Sequence, residues 1–523
     1  MQRAGIGPSG GLENLSGETV VTGADLLGES PMYRPSDPQK PLFDAGGLLP
    51  PQKRELCEQS WAGPFREHAL PILRKVEDEF ADLFDEAMGR PNRPVALVVG
   101  TLILKEMNDL TDEEALSALD FDARWWYAFE REIHELHLCQ KTLHNFRQRL
   151  LGHKDPEKKK LAFRKVTEEL IAALGVTVHK QRLDSTHVLS NFAVLTRLGL
   201  FCETIRVFLR EVKRLDAKAY EALPAGLLKR HGEESWYADA RRADGPRRLA
   251  VVARDVYRLV AGFEKDEAVT KTKEWKHLKR LFEEQCEVKE KPQDPGGDDD
   301  DHGEGAVPVE LKEAKKVESD SLQTPHDPDA TYSGHKGKGY EVQVAETCGE
   351  ANEVNLITEV EVTPSCSSDI HATVATVEAL KEAGLKPREL VADTSYSSGE
   401  NAAALAKDAV NLLAPVPTAA KPDPKQEYPL PAATCPPTRE EAKRWQVQQE
   451  ASPEFKRRYA IRSGIEATNS ELKRGHGMRK LRVRGKARVR LAVYFKALAC
   501  NLKRALRYWL ERSRRPEGAA CLA

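Results

Sequence analysis

The chain has 523 residues, too many for one ordinary hydrophobic core, so two or three domains are expected. A formal net charge of −2 excludes a general polycation, and nine scattered cysteines with no CxxC pair exclude a disulfide framework and a cysteine-paired zinc motif. No apolar run approaches the ~18 residues of a membrane span, and the first residues lack the apolar stretch of a signal peptide, so a cytoplasmic chain is expected.

Residues 1–54 are rich in Gly, Pro and Ser with little periodicity and read as disordered. From 55 to 155 the pattern is helical. PVALVVGTLILKEM (94–107) is apolar on most sides, Thr111 and Glu114 stand at capping-box spacing, and QKTLHNFRQRLL (140–151) is basic on one side. Short helices with cations on the last suit a helix-turn-helix DNA-binding domain; a plain helical bundle fits the same pattern. In this region Trp125 and Trp126 read as core aromatics rather than base-stacking platforms.

VTVHKQRLDSTHV (176–188) is rich in β-branched residues, and a strand ending near Asp184 is expected. His187 close by reads as a packing or hydrogen-bonding histidine. Residues 192–287 return to helical spacing, and 288–326, with the acidic run Asp298 to Asp301, reads as a flexible linker. GHKGKGY (334–340) precedes a strand and lacks the spacing of a nucleotide-binding loop. GYEVQVAET (339–347) and NEVNLITEVEVT (352–363) read as adjacent strands, DIHATVATVEALKEAGL (369–385) as a helix, and RELVADTSY (388–396) as a strand ending at Asp393. SGENAAALAKDA (398–409) is the next helix, VNLLAPVP (410–417) a fifth strand, and 420–437 a Pro-rich loop.

A helix is expected to start at Ser452 and Pro453. At about 100° per residue, Tyr459, Arg462, Glu466 and Lys473 fall on one polar stripe beside an apolar seam of Ile461, Ile465 and Leu472. A last amphipathic helix follows near 487–511, with Val489, Val493, Leu502 and Leu506 on its apolar side. From Lys456 to Arg515 there are 20 Lys and Arg against three Glu, a local basic block that favours a nucleic-acid face.

Two Asp at strand ends and a Glu on a late helix can hold a pair of hard divalent cations, which take oxygen ligands and activate a water or hydroxyl against a phosphodiester. Each residue also has a plainer reading: a strand-end Asp often forms a turn, and Glu466 four residues after Arg462 can be a surface ion pair.

LDSTHVLSN (183–191), ADTSYSSGEN (392–401) and Tyr459-x2-Arg462-x3-Glu466-x6-Lys473 resemble the motifs of DDE transposases of bacterial insertion sequences, in the IS4/IS5/IS1182 group. Residues 89–119 with 142–150 resemble the helical N-terminal domain of that family, and 327–347 its second-strand block. The resemblance implies an α/β fold: an RNase H-like mixed five-stranded sheet with flanking helices, split between 156–191 and 327–515 by the helical insertion. It implies that Asp184, Asp393 and Glu466 bind two Mg²⁺ ions, for which Mn²⁺ can substitute, and that Tyr459, Arg462 and Lys473 bind DNA. Cleavage at terminal inverted repeats and strand transfer into target DNA, by a homo-oligomer near the nucleoid, would follow. A non-catalytic DNA-binding regulator and a structure-specific nuclease are the alternatives. Cys435 stands alone where some relatives carry a cysteine cluster, so no zinc-stabilised loop is expected there.

Overall fold

The computed structural model describes residues 33–36, 44, 46–85, 91–232, 235, 237–239, 244–289 and 307–514. Most of the segment expected to be disordered at 1–54, and the acidic run Asp298–Asp301, lie outside the described residues. Within the former, a helix already begins at Pro51.

The N-terminal region is helical, as its spacing suggests. Helix α1 (Val95–Met107) is buried along its whole length, α2 (Asp112–Phe121) opens with the Thr111–Glu114 capping box, and α3 (Gln140–Gly152) and α4 (Leu161–Leu174) follow. Capping satisfies first-turn amides that the helix cannot bond itself. Trp125 is 2% exposed and packs edge-on against Trp61, which settles it as a core aromatic.

Five strands then build the mixed sheet: β1 (Lys180–Val188), β2 (Gly337–Thr347), β3 (Ile357–Pro364), β4 (Glu389–Val391) and β5 (Asn411–Leu413). Their order is β3-β2-β1-β4-β5. β1 runs antiparallel to β2 and parallel to β4, β2 is antiparallel to β3, and β4 is parallel to β5. This strand order is consistent with the RNase H-like fold that the resemblance implied. A short strand, Thr331–Ser333, hairpins onto the start of β2.

Central strand β2 is buried from Gly339 to Thr347, so the sheet is covered on both faces. Side chains alternate across a strand. Tyr340, Val342 and Val344 accordingly join one core with α1, α4 and the last helix, while Ala345 joins the other. That second core takes α8 (Ala372–Glu382), α9 (Gly399–Lys407) and α10 (Arg439–Ala451). Between β1 and β2 the insertion closes a core of its own around α5 (Arg197–Leu215), α6 (Gly245–Phe263) and α7 (Lys273–Gln285).

Four sequence expectations change. The strand expected to end near Asp184 continues to Val188, because residues 184–188 keep their pairing with β2. Part of the stretch read as a flexible linker is structured: Val309–Leu311 pairs with Cys286–Val288, and Leu322 is fully buried in the insertion's core. The helix expected from Ser452 is broken. Ser452 instead closes α10, its Oγ donating to the Gln449 carbonyl at 2.7 Å. A short helix Phe455–Tyr459 and a 3₁₀ turn Ala460–Ser463 then lead into α11 (Gly464–Gly475). Arg182 Nη1 donates to the Ile461 carbonyl at 2.7 Å and so ties the 3₁₀ turn to β1. Finally, α10 itself escaped sequence reading: its buried face includes Gln446 and Gln449, so its apolar periodicity is faint.

The last helix, α12 (Lys486–Ser513), lies against α1, α4 and β3, with Val489, Val493, Leu502 and Leu506 buried. Asn501 pins it to the sheet edge, bonding both the amide and the carbonyl of Ile357 at 2.7 Å.

Candidate active site

Arg182 of β1 and Val391 of β4 are opposed on the last rung of their parallel ladder. Asp184 and Asp393 each stand two residues past that rung, so the topology carries both to one level at the carboxyl ends of two adjacent strands. Beyond the rung β4 stops, and Asp393 opens a 3₁₀ turn by accepting from the Ser395 amide at 2.8 Å. β1 continues, paired with β2 alone.

The 3₁₀ turn before α11 delivers the third carboxylate. Arg462 lies in that turn and Glu466 in the first turn of α11, four residues apart on one side. The Arg462 guanidinium touches all three acids: Asp184 Oδ1 at 3.1 Å, Asp393 Oδ2 at 3.6 Å and Glu466 Oε1 at 3.0 Å. Asn469, one turn further along α11, donates from Nδ2 to Asp184 Oδ2 at 3.1 Å. The three acids differ in access: the Asp184 side chain is 14% exposed, Asp393 35% and Glu466 66%.

The electrostatics follow from this crowding. Burial raises the Asp184 pKa and the neighbouring Asp393 adds to the rise, against the pull of Arg462. Burial opposes the charge on Arg462, but Asp184, Asp393 and Glu466 turn its net shift upward. Lys473 is lowered, chiefly by burial. Its ammonium senses Glu341 and Asp184, so it faces the same cluster. Tyr459 sits at the rim, its ring stacked on Phe455 with centroids 5.4 Å apart, and burial raises its pKa.

Sequence reading missed several members. Asp369, just ahead of α8, accepts from Gln343 Nε2 at 2.9 Å, from Ser185 Oγ at 3.3 Å and from Lys336 Nζ at 3.4 Å. Its charge also contributes to the raised pKa of Asp184. Glu341, on β2, is 1% exposed and pairs with Lys336 at 3.0 Å. Lys336 belongs to the GHKGKGY peptide, whose cation serves these acids. The available signal was its spacing from Glu341 across a turn, which sequence alone does not separate from a surface pair. His187 takes its structural reading, with Nε2 against the Lys338 carbonyl at 3.1 Å.

Chemically, three carboxylate oxygens converge on one cationic group, which is the donor set a hard divalent ion requires. The residues therefore fit Mg²⁺. A cation among them would also relieve the repulsion that raises Asp184.

Residues 65–149 match the family described as Transposase domain (DUF772), and residues 432–506 match the Transposase DDE domain. The second match contains Tyr459, Arg462, Glu466 and Lys473, while Asp184 and Asp393 lie ahead of its start at 432. No curated protein and no solved structure matches the chain. The two domains are typical of IS1182-like transposases, and they support a transposase function.

Proposed function

We propose that this chain, with transposase domains near both ends of its described length, is a DDE transposase that cuts DNA at terminal inverted repeats and joins the freed end to target DNA. The observation that carries the reading is the convergence of Asp184, Asp393 and Glu466 on the Arg462 guanidinium at 3.0–3.6 Å.

In this reading Asp184, Asp393 and Glu466 would together hold two Mg²⁺ ions. When bound, the ions activate a water or a 3′-hydroxyl and stabilise the leaving oxygen of the phosphodiester. Asn469 orients Asp184 by holding its second oxygen. Arg462 would pair with a DNA phosphate, and Lys473 and Tyr459 would position the strand beside it. Asp369 stays outside the set, holding Ser185, Gln343 and Lys336 in place.

Residues 55–155 bind the terminal repeat, 156–191 and 327–515 form the catalytic unit, and 192–287 is an insertion available for contacts in a homo-oligomeric synaptic complex. Among the described residues no helix is long and apolar enough to cross a membrane, which fits work at the nucleoid.

The test is cleavage of DNA carrying the inverted repeats that flank the gene. Full-length protein should cut at the repeat boundary with Mg²⁺ or Mn²⁺ and not with chelator. Cutting without regard to the repeats would favour a structure-specific nuclease; tight binding without metal-dependent cutting would favour a regulator.

A further inference from the structure

Behind the carboxylate cluster, on the far end of α11, a second group of metal-ligating side chains is enclosed by protein. Glu471 lies in the last turns of α11, His476 follows the helix end, and Cys500 faces them from the middle of α12. One ligand atom from each lies within 4.8 Å of the others. His476 and Cys500 are fully buried and Glu471 half-buried.

The histidine is the informative member. Its Nδ1 sits 3.1 Å from the Glu106 carbonyl, and a carbonyl can only accept, so Nδ1 carries the proton. Nε2 is therefore an unprotonated lone pair. It is buried and has no hydrogen-bond partner among the described residues. A buried nitrogen left this way costs free energy unless something takes its lone pair. A ring held through one nitrogen by a backbone carbonyl, with the other presented outward, is also how proteins orient a metal-binding histidine.

The other two groups complete a donor set. The Cys500 sulfur lies within 4.8 Å of a Glu471 carboxylate oxygen. Arg504 grips one oxygen of that carboxylate, Oε2, from Nε at 3.0 Å and Nη2 at 2.9 Å, which fixes its plane. Arg504 also pairs with Glu346 at 3.0 Å, and Lys496 with Glu106 at 2.5 Å. The Glu471 carboxylate and a Cys500 thiolate together carry the two negative charges that match the two positive charges a divalent ion brings in.

We propose that Glu471, His476 and Cys500 form a binding site for a borderline-soft divalent transition ion, best matched by zinc, that clamps α11 to α12. One nitrogen, one sulfur and one oxygen suit zinc over magnesium, and three protein ligands leave its fourth position for water. Zinc ligands lie roughly 3.5 Å apart across a tetrahedron, so the side chains close by about 1 Å on binding. The Cys500 S–H bond breaks, its proton leaves to solvent and the sulfur electron pair binds the metal. The clamp would fix the helix that carries Glu466 and Lys473 without taking part in the DNA chemistry.

The test is a Co²⁺ titration of chelator-treated full-length protein, followed by zinc calorimetry. Thiolate–cobalt charge-transfer absorption should appear in the wild type and in Asp184→Asn, and be absent in Cys500→Ser. The proposed catalytic site contains no sulfur, so this band separates the two sites. Zinc affinity should fall roughly tenfold or more in His476→Gln and in Glu471→Gln, with circular dichroism of each variant checked against the wild type. With the carboxylate site saturated by excess Mg²⁺, zinc should also raise the melting temperature of the wild type and not of Cys500→Ser. No charge-transfer band in the wild type, a band that persists in Cys500→Ser, or unchanged zinc affinity in a folded His476→Gln would overturn the proposal.

Discussion

Arg462 donates to Asp184 at 3.1 Å although 278 residues separate them in the chain. The contact joins the 3₁₀ turn before α11 to the middle of β1, and it stands at the centre of the proposed site. A guanidinium shared by three carboxylates neutralises them much as a metal would, so arginine and metal compete for the same oxygens.

That competition has a measurable sign. Arg462→Ala should bind Mn²⁺ more tightly in the absence of DNA, by roughly tenfold if the lost pairing is worth about 1–2 kcal/mol. The same variant should bind DNA more weakly, and its slope of log affinity against log salt should flatten by about one unit. Calorimetry with Mn²⁺ and a salt series of DNA binding check the two arms. An arginine that only packs the turn would move neither.

The Asp184 pKa is raised by burial and by Asp393. The folded chain therefore holds a proton there at pH values where the unfolded chain has lost it. Stability falls as pH rises through that window, from the unfolded carboxyl pKa to the raised folded one, and the unfavourable contribution persists above it. Asp184→Asn removes this penalty. Without divalent ions its melting temperature should exceed that of the wild type at neutral pH, and the difference should shrink at acid pH. Thermal melts at both pH values test this, and added Mg²⁺ should narrow the neutral-pH gap by stabilising the wild type alone.

Asp369 bonds Ser185, Gln343 and Lys336 around the cluster. Asp369→Asn keeps its size and loses its charge. The cleavage rate should fall roughly tenfold or more, because the polar frame around the acids loosens, while DNA affinity is unchanged. Single-turnover cleavage alongside a binding isotherm separates this outcome from a folding defect, which would lower both.

Arg182 pairs with buried Glu346 and also holds the Ile461 carbonyl. Arg182→Met should destabilise the protein by about 3 kcal/mol or more, since it removes one partner of a buried ion pair. It should also free the turn that carries Arg462. Denaturant melts give the first effect, and weakened Mn²⁺ binding in the surviving folded protein gives the second.

The sheet was legible in the sequence because its strands are short β-branched runs between turns and helices. Asp393 could be placed because the apolar run of β4 stops just before it. Asp184 was placed less well: its strand runs on to Val188, paired on one side only, and no local pattern reveals where a parallel neighbour ends. Tyr459, Arg462, Glu466 and Lys473 were found by helical spacing, yet a break at the 3₁₀ turn divides them. The turn is tied down by Arg182, a residue from a distant strand, a contact beyond local reading. Asp369 was hidden for the same reason: its partners come together only when β2 pairs with β1 and α8 docks, whereas Glu341 and Lys336 meet across a local turn. The Glu471, His476 and Cys500 group shows no ligand spacing in sequence because its third member comes from another helix.

The most direct test compares cleavage of repeat-bearing DNA by the wild type with Asp184→Asn, Asp393→Asn and Glu466→Gln under Mg²⁺, each assayed for DNA binding in parallel. One shared metal-dependent site requires that every variant bind the DNA and that none cut it above the uncatalysed background. Cleavage at the wild-type rate by any one of the three, folded and bound to DNA, would contradict it.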